Sequence, residues 1–196
     1  SEAAFNRAMR EGVSRDGKHL YPAFPFDHFT LVSDEDNKAL YAFLMTRPPV
    51  KQSPPANELP FPLNIRLVLA GWKLLFFNEG PFQKVASESE EWNRGAYLAD
   101  ALEHCATCHT PRNAFMAEDA SQALAGGSVG SWYAPNITSD KVAGIGGWSD
   151  DQLIQYLKTG NVPGKAQAAG PMAEAVENSL QHLSDDDLKA IVTYLK

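Results

Sequence analysis

Cys105-Ala106-Thr107-Cys108-His109 brings two thiols and an imidazole into one short run, and these are the only two cysteines among 196 residues. In a Cys-x-x-Cys-His run the thiols are spaced to meet the two vinyl groups of a haem, and the histidine is placed to bind the iron. Other uses of the same residues compete poorly. A four-thiolate zinc site is excluded by the cysteine count, and a mixed zinc site has to add a distant residue to His109. A thioredoxin-like dithiol calls for a preceding strand in a βαβ context, whereas the stretch before Cys105 reads as a helix. The motif predicts one covalently attached haem c.

The flanking elements must hold this run in place. Residues 88 to 104 read as a helix with Gly95, Leu98, Ala101 and Leu102 on one side, and Gly95 lets a second helix approach closely. A loop rich in Gly, Ser, Asn and Pro follows from about Gly126 to Gly147. Ser149-Asp150-Asp151-Gln152 then opens a helix, and Ser184-Asp185-Asp186-Asp187 opens the last one, in which Leu188, Ile191, Val192 and Leu195 recur at helical spacing. No alternating strand pattern stands out, so the predicted fold is mainly α.

Towards the N-terminus, Ser1 to Met45 reads as a helix, a loop rich in Pro and aromatics, and a second helix. Ser33 caps that second helix and Asp34, Glu35 and Asp36 fill its first turn, ahead of a stripe of Leu40, Tyr41 and Leu44. Residues 46 to 60 carry Pro48, Pro49, Pro54, Pro55 and Pro60, which forbids helix and favours an extended, semi-rigid linker. Residues 61 to 77 are apolar on almost every face, with Arg66 and Lys73 as the only charges. Such a helix must be covered, by burial between two domains, by a partner subunit or by the membrane surface.

The net charge of -7 and the absence of a Lys/Arg block exclude nucleic acid as a partner. No apolar stretch reaches the roughly 20 residues of a membrane span. No signal peptide is visible at Ser1, so the chain reads as mature or trimmed. Haem is joined to Cys-x-x-Cys-His outside the bacterial cytoplasm, which predicts a periplasmic protein, with the apolar stretch leaving association with the outer face of the inner membrane open.

An internal repeat adds to the organisation. Ser33-Asp-Glu-Asp-Asn-Lys-Ala-Leu aligns with Ser184-Asp-Asp-Asp-Leu-Lys-Ala-Ile at an offset of 184 − 33 = 151, and Ser1 through Gly12 aligns with Ser149 through Gly160 at 149 − 1 = 148. Two blocks in register argue for duplicated domains. The motif begins 149 − 105 = 44 residues before Ser149, so its twin belongs 44 residues before Ser1. The first segment therefore reads as the C-terminal half of a haem domain that lacks its haem-bearing half. Truncation explains this most simply, and a haem-free helical appendage is the alternative.

Arg10 through Gly17, Leu20 through Pro25, Asn57 through Pro62, His104 through Asn113 and Tyr133 through Thr138 resemble the multihaem cytochrome c subunits that accompany periplasmic dehydrogenases. The resemblance covers nearly the whole chain. It implies 1–47 as the C-terminal half of a first cytochrome c-like domain without haem, 48–87 as linker and apolar helix, and 88–196 as a complete, class I-like cytochrome c domain. In such a domain the N-terminal helix packs on the last helix around one haem. Many relatives carry Met as a distal iron ligand where Phe24 stands, so nothing suggests a haem in residues 1 to 45.

The same resemblance assigns the site. His109 is the proximal iron ligand, and Met172 is the distal one, after Pro171 and 184 − 172 = 12 residues before Ser184. Met116 is too close to His109 to cross the ring, and His182 remains the alternative as a bis-histidine ligand. Pro111 resembles the proline whose carbonyl accepts the imidazole N–H in small cytochromes, and Arg112 is a candidate propionate partner. Tyr133, Asn136, Thr138 and Trp148 face the propionate edge in the family, although Trp148 also suits an aromatic staple before a helix cap.

Function follows from the ligands. Two filled axial positions imply one-electron transfer and no substrate chemistry, with a dehydrogenase catalytic subunit (quinoprotein, flavoprotein or molybdenum-dependent) as donor and a quinone, cytochrome or oxidase as acceptor. A labile sixth ligand would instead suit haem-based catalysis or gas sensing.

Overall fold

A computed structural model describes residues 1–53 and 55–196. Pro54, one of the prolines assigned to the linker, lies outside the described residues. The chain divides into two compact units, Ser1–Phe82 and Gln83–Lys196.

The first unit contains α1 (Glu2–Glu11), α2 (Phe26–Phe29), α3 (Asp34–Met45) and α4 (Val68–Phe76). Ser1 caps α1 and Ser33 caps α3, each hydroxyl accepting a backbone N–H three residues on. Gly12 ends α1 at φ 60, and a Cβ there would lie 2.4 Å from the Phe26 ring, so both the left-handed turn and the close approach require glycine. Phe26 is fully buried and meets Phe77 edge to face at 5.1 Å.

The apolar stretch predicted as a helix over 61 to 77 is helical only from Val68 to Phe76. Pro62 disfavours helical geometry at Phe61, and tight i to i+3 turns carry the chain to Val68. No α4 residue is buried. Its one cation, Lys73, turns inward and donates to the Gly12 carbonyl at 2.8 Å, as Arg66 donates to that of His19 at 2.7 Å, while Leu74 and Leu75 face outward.

The second unit holds α5 (Glu90–Tyr97), α6 (Ala106–His109), strands β1 (Gly127–Val129) and β2 (Trp132–Ala134), and α7 (Asp150–Thr159). The hairpin strands β3 (Asn161–Val162) and β4 (Ala166–Gln167), then α8 (Gly170–Asn178) and α9 (Asp185–Leu195), complete it. Its centre is the crossing of α5 and α9. A Cβ on Gly95 would sit 1.9 Å from the Ala190 carbonyl oxygen, so the two backbones meet where only hydrogen fits. Leu98, Leu188 and Ile191 are sealed around the crossing. Its rim carries Arg94 with Asp187 at 2.7 Å, Lys189 with Glu91 at 2.9 Å, and Trp92 edge-on to Tyr194 at 5.0 Å.

The described residues are mainly helical, as expected, and add two short antiparallel hairpins that the sequence did not announce. Each strand has two or three residues, too few for alternation to register in sequence. Among the described residues no helix is long and apolar enough to cross a membrane.

The repeat extends beyond the caps. Gly12 and Gly160 both end their helices in the left-handed region, and their carbonyls accept from Leu20 and Ala168, at 2.8 and 2.6 Å. The Val13–His19 bridge has its counterpart in the Asn161–Gln167 pair. Arg10 is paired with Asp34 as Lys158 is with Asp185. The two copies differ at the last helix: Ala190 and Ile191 are buried, whereas their counterparts Ala39 and Leu40 on α3 are exposed.

Candidate haem site

The motif sits in the bend after α5. That helix loosens into a π-helical turn over Leu98–Leu102, His104 takes φ 38, and the Cys105 N–H closes the bend on the Ala99 carbonyl at 2.8 Å. Cys105 to His109 then form a single helical turn, which puts both thiols and the imidazole on a rigid, short piece of backbone.

His109 is buried, and its Nδ1 lies 2.7 Å from the carbonyl oxygen of Pro135. A carbonyl only accepts, so Nδ1 carries the proton and Nε2 is left with its lone pair, the form in which imidazole binds a metal. Burial lowers the His109 pKa, and the Pro135 bond opposes that shift. The role assigned to Pro111 thus falls to Pro135. The Pro111 carbonyl is already engaged, accepting the Asp119 N–H at 2.8 Å.

Both cysteines are half-buried free thiols. Burial pushes the Cys105 thiol up to about 12, with the Glu103 and Asp100 carboxylates adding to the effect, and burial also raises Cys108 against the nearby Arg112 charge. A reactive dithiol redox centre is favoured by the opposite, a thiol held below its ordinary range.

The β1–β2 hairpin is built on the back of this turn. The Gly126 N–H donates to the His109 carbonyl at 2.7 Å, and a Cβ on Gly127 would lie 2.7 Å from the carbonyl oxygens of both Cys108 and Thr110. Gly127 pairs with Ala134 across the ladder, which delivers Pro135 to His109. At the other end of β2, the Trp132 indole lies where a Cβ on Gly170 would be, at 2.4 Å. Gly170, Pro171 and Met172 form the first turn of α8.

Met172 is half-buried there. Met116 is exposed on a turn, and His182 is exposed. Met9 and Met45 belong to the first unit, the former in its core and the latter at its surface.

The remaining candidates separate into groups. Asn136 Oδ1 accepts from the Thr138 N–H at 2.8 Å and its hydroxyl at 2.7 Å, and with Tyr133 they occupy the segment that carries Pro135. Arg112 is on the motif side, donating to the Thr107 carbonyl at 2.8 Å and lying 3.5 Å from Glu118. Trp148 packs edge-on against Tyr156 at 5.8 Å, under the Lys165 ammonium, just ahead of the Ser149 cap of α7. Pro135, Trp132, Gly127 and Gly170 escaped sequence reasoning. A backbone carbonyl and a missing Cβ act without any side-chain signature, and only the position of Pro135 inside the Tyr133–Thr138 run offered a hint.

The residues fit a covalently held haem. Two free thiols stand at thioether spacing, an imidazole is held in its metal-binding tautomer, and a thioether stands on a fixed helix start.

Comparison with known proteins agrees. The cytochrome c family profile matches residues 93–196. The chain is 52% identical over 194 residues to the fructose dehydrogenase cytochrome subunit of Gluconobacter japonicus, covering 98% of this chain and 40% of that one. It is 48% identical to a nicotinate dehydrogenase subunit of Pseudomonas putida, over all of this chain and 16% of the other. It is 44% identical to the gluconate 2-dehydrogenase cytochrome c subunit of Pantoea cypripedii, over 98% and 46%. The chain thus spans less than half the length of these relatives. With more than half of its residues inside the matching profile, and that match containing the motif, the His109–Pro135 bond and the α5–α9 crossing, the chain belongs to the cytochrome c family.

Proposed function

We propose that this chain transfers single electrons as the cytochrome part of a periplasmic dehydrogenase complex. The observation that carries the reading is the His109–Pro135 bond, which fixes one imidazole tautomer directly after two thiols at thioether spacing. When bound, the haem supplies a one-electron ferric/ferrous couple.

The protein's own residues do the rest. Cys105 and Cys108 would hold the group, His109 would offer Nε2, and Met172 would offer a thioether, which favours reduced iron. In this reading Arg112 would pair with a haem propionate, and Tyr133, Asn136, Thr138 and Trp148 would face the propionate edge. With both iron ligands supplied by the chain, no open position would be left for substrate.

The relatives' names support a dehydrogenase catalytic subunit as donor; that it is a quinoprotein, flavoprotein or molybdenum-dependent enzyme is part of the proposal. Electrons leave to a quinone, another cytochrome or an oxidase. The outward Leu74 and Leu75 of α4, with Arg66 and Lys73 turned inward, support cover of that face by a partner subunit or the outer surface of the inner membrane.

Residues 1–47 are, in the same proposal, the C-terminal half of a cytochrome c fold without haem, 48–87 a linker and apolar helix, and 88–196 the complete domain. The repeated caps, hairpin and Arg10–Asp34 pair support this. A pyridine haemochrome assay is expected to give one covalent haem per chain. Rapid, stoichiometric binding of carbon monoxide to the ferrous protein would overturn simple electron transfer in favour of a labile sixth ligand.

A further inference from the structure

The hairpin between His109 and Met172 links both ligand-bearing segments through two contacts at opposite ends of one strand. At one end Ala134 leads into Pro135, whose carbonyl holds His109 at 2.7 Å. At the other, the six-membered ring of Trp132 covers the bare Cα of Gly170: the position of a Cβ there lies 2.4, 2.6 and 2.8 Å from three indole carbons. Gly170 has φ 52, a left-handed conformation that glycine adopts without strain, so the residue is selected both by the backbone and by the indole. Pro171 at once stiffens the helix start, and Met172 follows.

β2 is itself fixed. It pairs with β1 in the register Gly127 to Ala134, Ser128 to Tyr133 and Val129 to Trp132, and Gly127 lies against the carbonyls of Cys108 and Thr110. Displacement of the strand would disturb the motif turn as well. Trp132 is 50% exposed, and the part of its indole that is covered includes the face on Gly170, a contact between β2 and α8.

We propose that Trp132 is a positioning residue for the sixth ligand: by packing on Gly170 it sets where α8 begins, and so how Met172 is held relative to His109. This rests on the reading of Met172 as that ligand. A side chain in the strand that leads into Pro135 thereby positions Met172 without itself being a ligand.

The test uses the haem-loaded full chain, with two readouts: the thioether-to-iron charge-transfer band of the ferric protein on warming, and the rate of carbon monoxide binding to the ferrous protein. Met172→Ala is expected to abolish the band. Trp132→Ala is expected to keep haem stoichiometry and far-ultraviolet dichroism, to lose the band at a lower temperature, and to bind carbon monoxide about tenfold faster. Trp132→Phe falls between, and Trp132→Leu takes the place of the alanine variant if that fails to fold.

In a double-mutant cycle, Gly170→Ala is expected to weaken the band more in the Trp132 protein than in Trp132→Ala. The indole is what the new methyl strikes, while the left-handed strain is common to both arms. An unchanged band and rate in Trp132→Ala, with the band abolished in Met172→Ala, overturns the positioning role and leaves the ligand reading standing. A band that survives Met172→Ala overturns the ligand reading and this inference together.

Discussion

The carbonyl oxygen of Pro135 lies 2.7 Å from Nδ1 of His109, and the two residues are 135 − 109 = 26 positions apart. The hairpin between them turns a distant backbone atom into the partner that fixes the imidazole tautomer. Pro135→Gly loosens that segment by freeing its backbone. The variant is expected to weaken the bond by on the order of 1 kcal/mol and to raise the reduction potential, because a less basic imidazole stabilises ferric iron less. Nδ1 proton exchange by NMR and a potentiometric titration check both effects.

The crossing of α5 and α9 predicts a backbone effect of a different kind. Gly95→Ala places a methyl 1.9 Å from the Ala190 carbonyl oxygen and 2.9 Å from the Tyr194 Cβ. Neither the carbonyl nor the helix axis yields cheaply, so the expected loss is about 3 kcal/mol, at the upper end for overpacking. Urea unfolding of the haem-loaded protein measures it, and a variant within about 0.5 kcal/mol of wild type, the size of a neutral surface change, contradicts the close crossing.

Haem retention under denaturing conditions tests the thiols. Wild-type protein is expected to keep its haem on a denaturing gel, because thioethers survive detergent where axial bonds do not. Cys105→Ser and Cys108→Ser each leave one thioether and retain the stain more weakly, and the double variant loses it entirely. Retention in the double variant contradicts covalent attachment through this motif.

Arg94 Nε donates to Asp187 at 2.7 Å and holds that carboxyl below the usual range, with its burial acting in the opposite direction. A carboxyl whose folded pKa is depressed contributes stability that is present above its unfolded value of about 3.9 and is lost as pH falls through the folded one. Arg94→Gln is therefore expected to cost about 0.5 kcal/mol near neutral pH, since half of the Arg94 side chain is in solvent. The difference from wild type should close as the solution is acidified past both values. Paired denaturation curves at neutral and strongly acidic pH decide it, and a gap that persists in acid contradicts the assignment.

Much of the fold was legible because its signals are local. Ser33, Ser149 and Ser184 announce helix starts through a side-chain oxygen and the acids behind it, and each caps the helix expected of it. Gly95 announced a close helix crossing through the one property glycine lacks, a Cβ. The hairpins were missed because strands of two or three residues carry no period, and the apolar stretch over 61 to 77 looked longer as a helix than Pro62 allows.

The sequence by itself determined the chemistry: two thiols at thioether spacing, an imidazole next to them, and a repeat that distinguishes the segment carrying the motif from the segment without one. Those facts rest on residue identity and spacing, which the chain carries before it folds. Only the tertiary structure decided which carbonyl holds His109, taking that place from Pro111 and giving it to Pro135, and which side chain lies against Gly170. Both are contacts between backbone positions brought together by a hairpin, and a backbone carbonyl or a bare Cα has the same covalent form at every position until the fold gives it a neighbour.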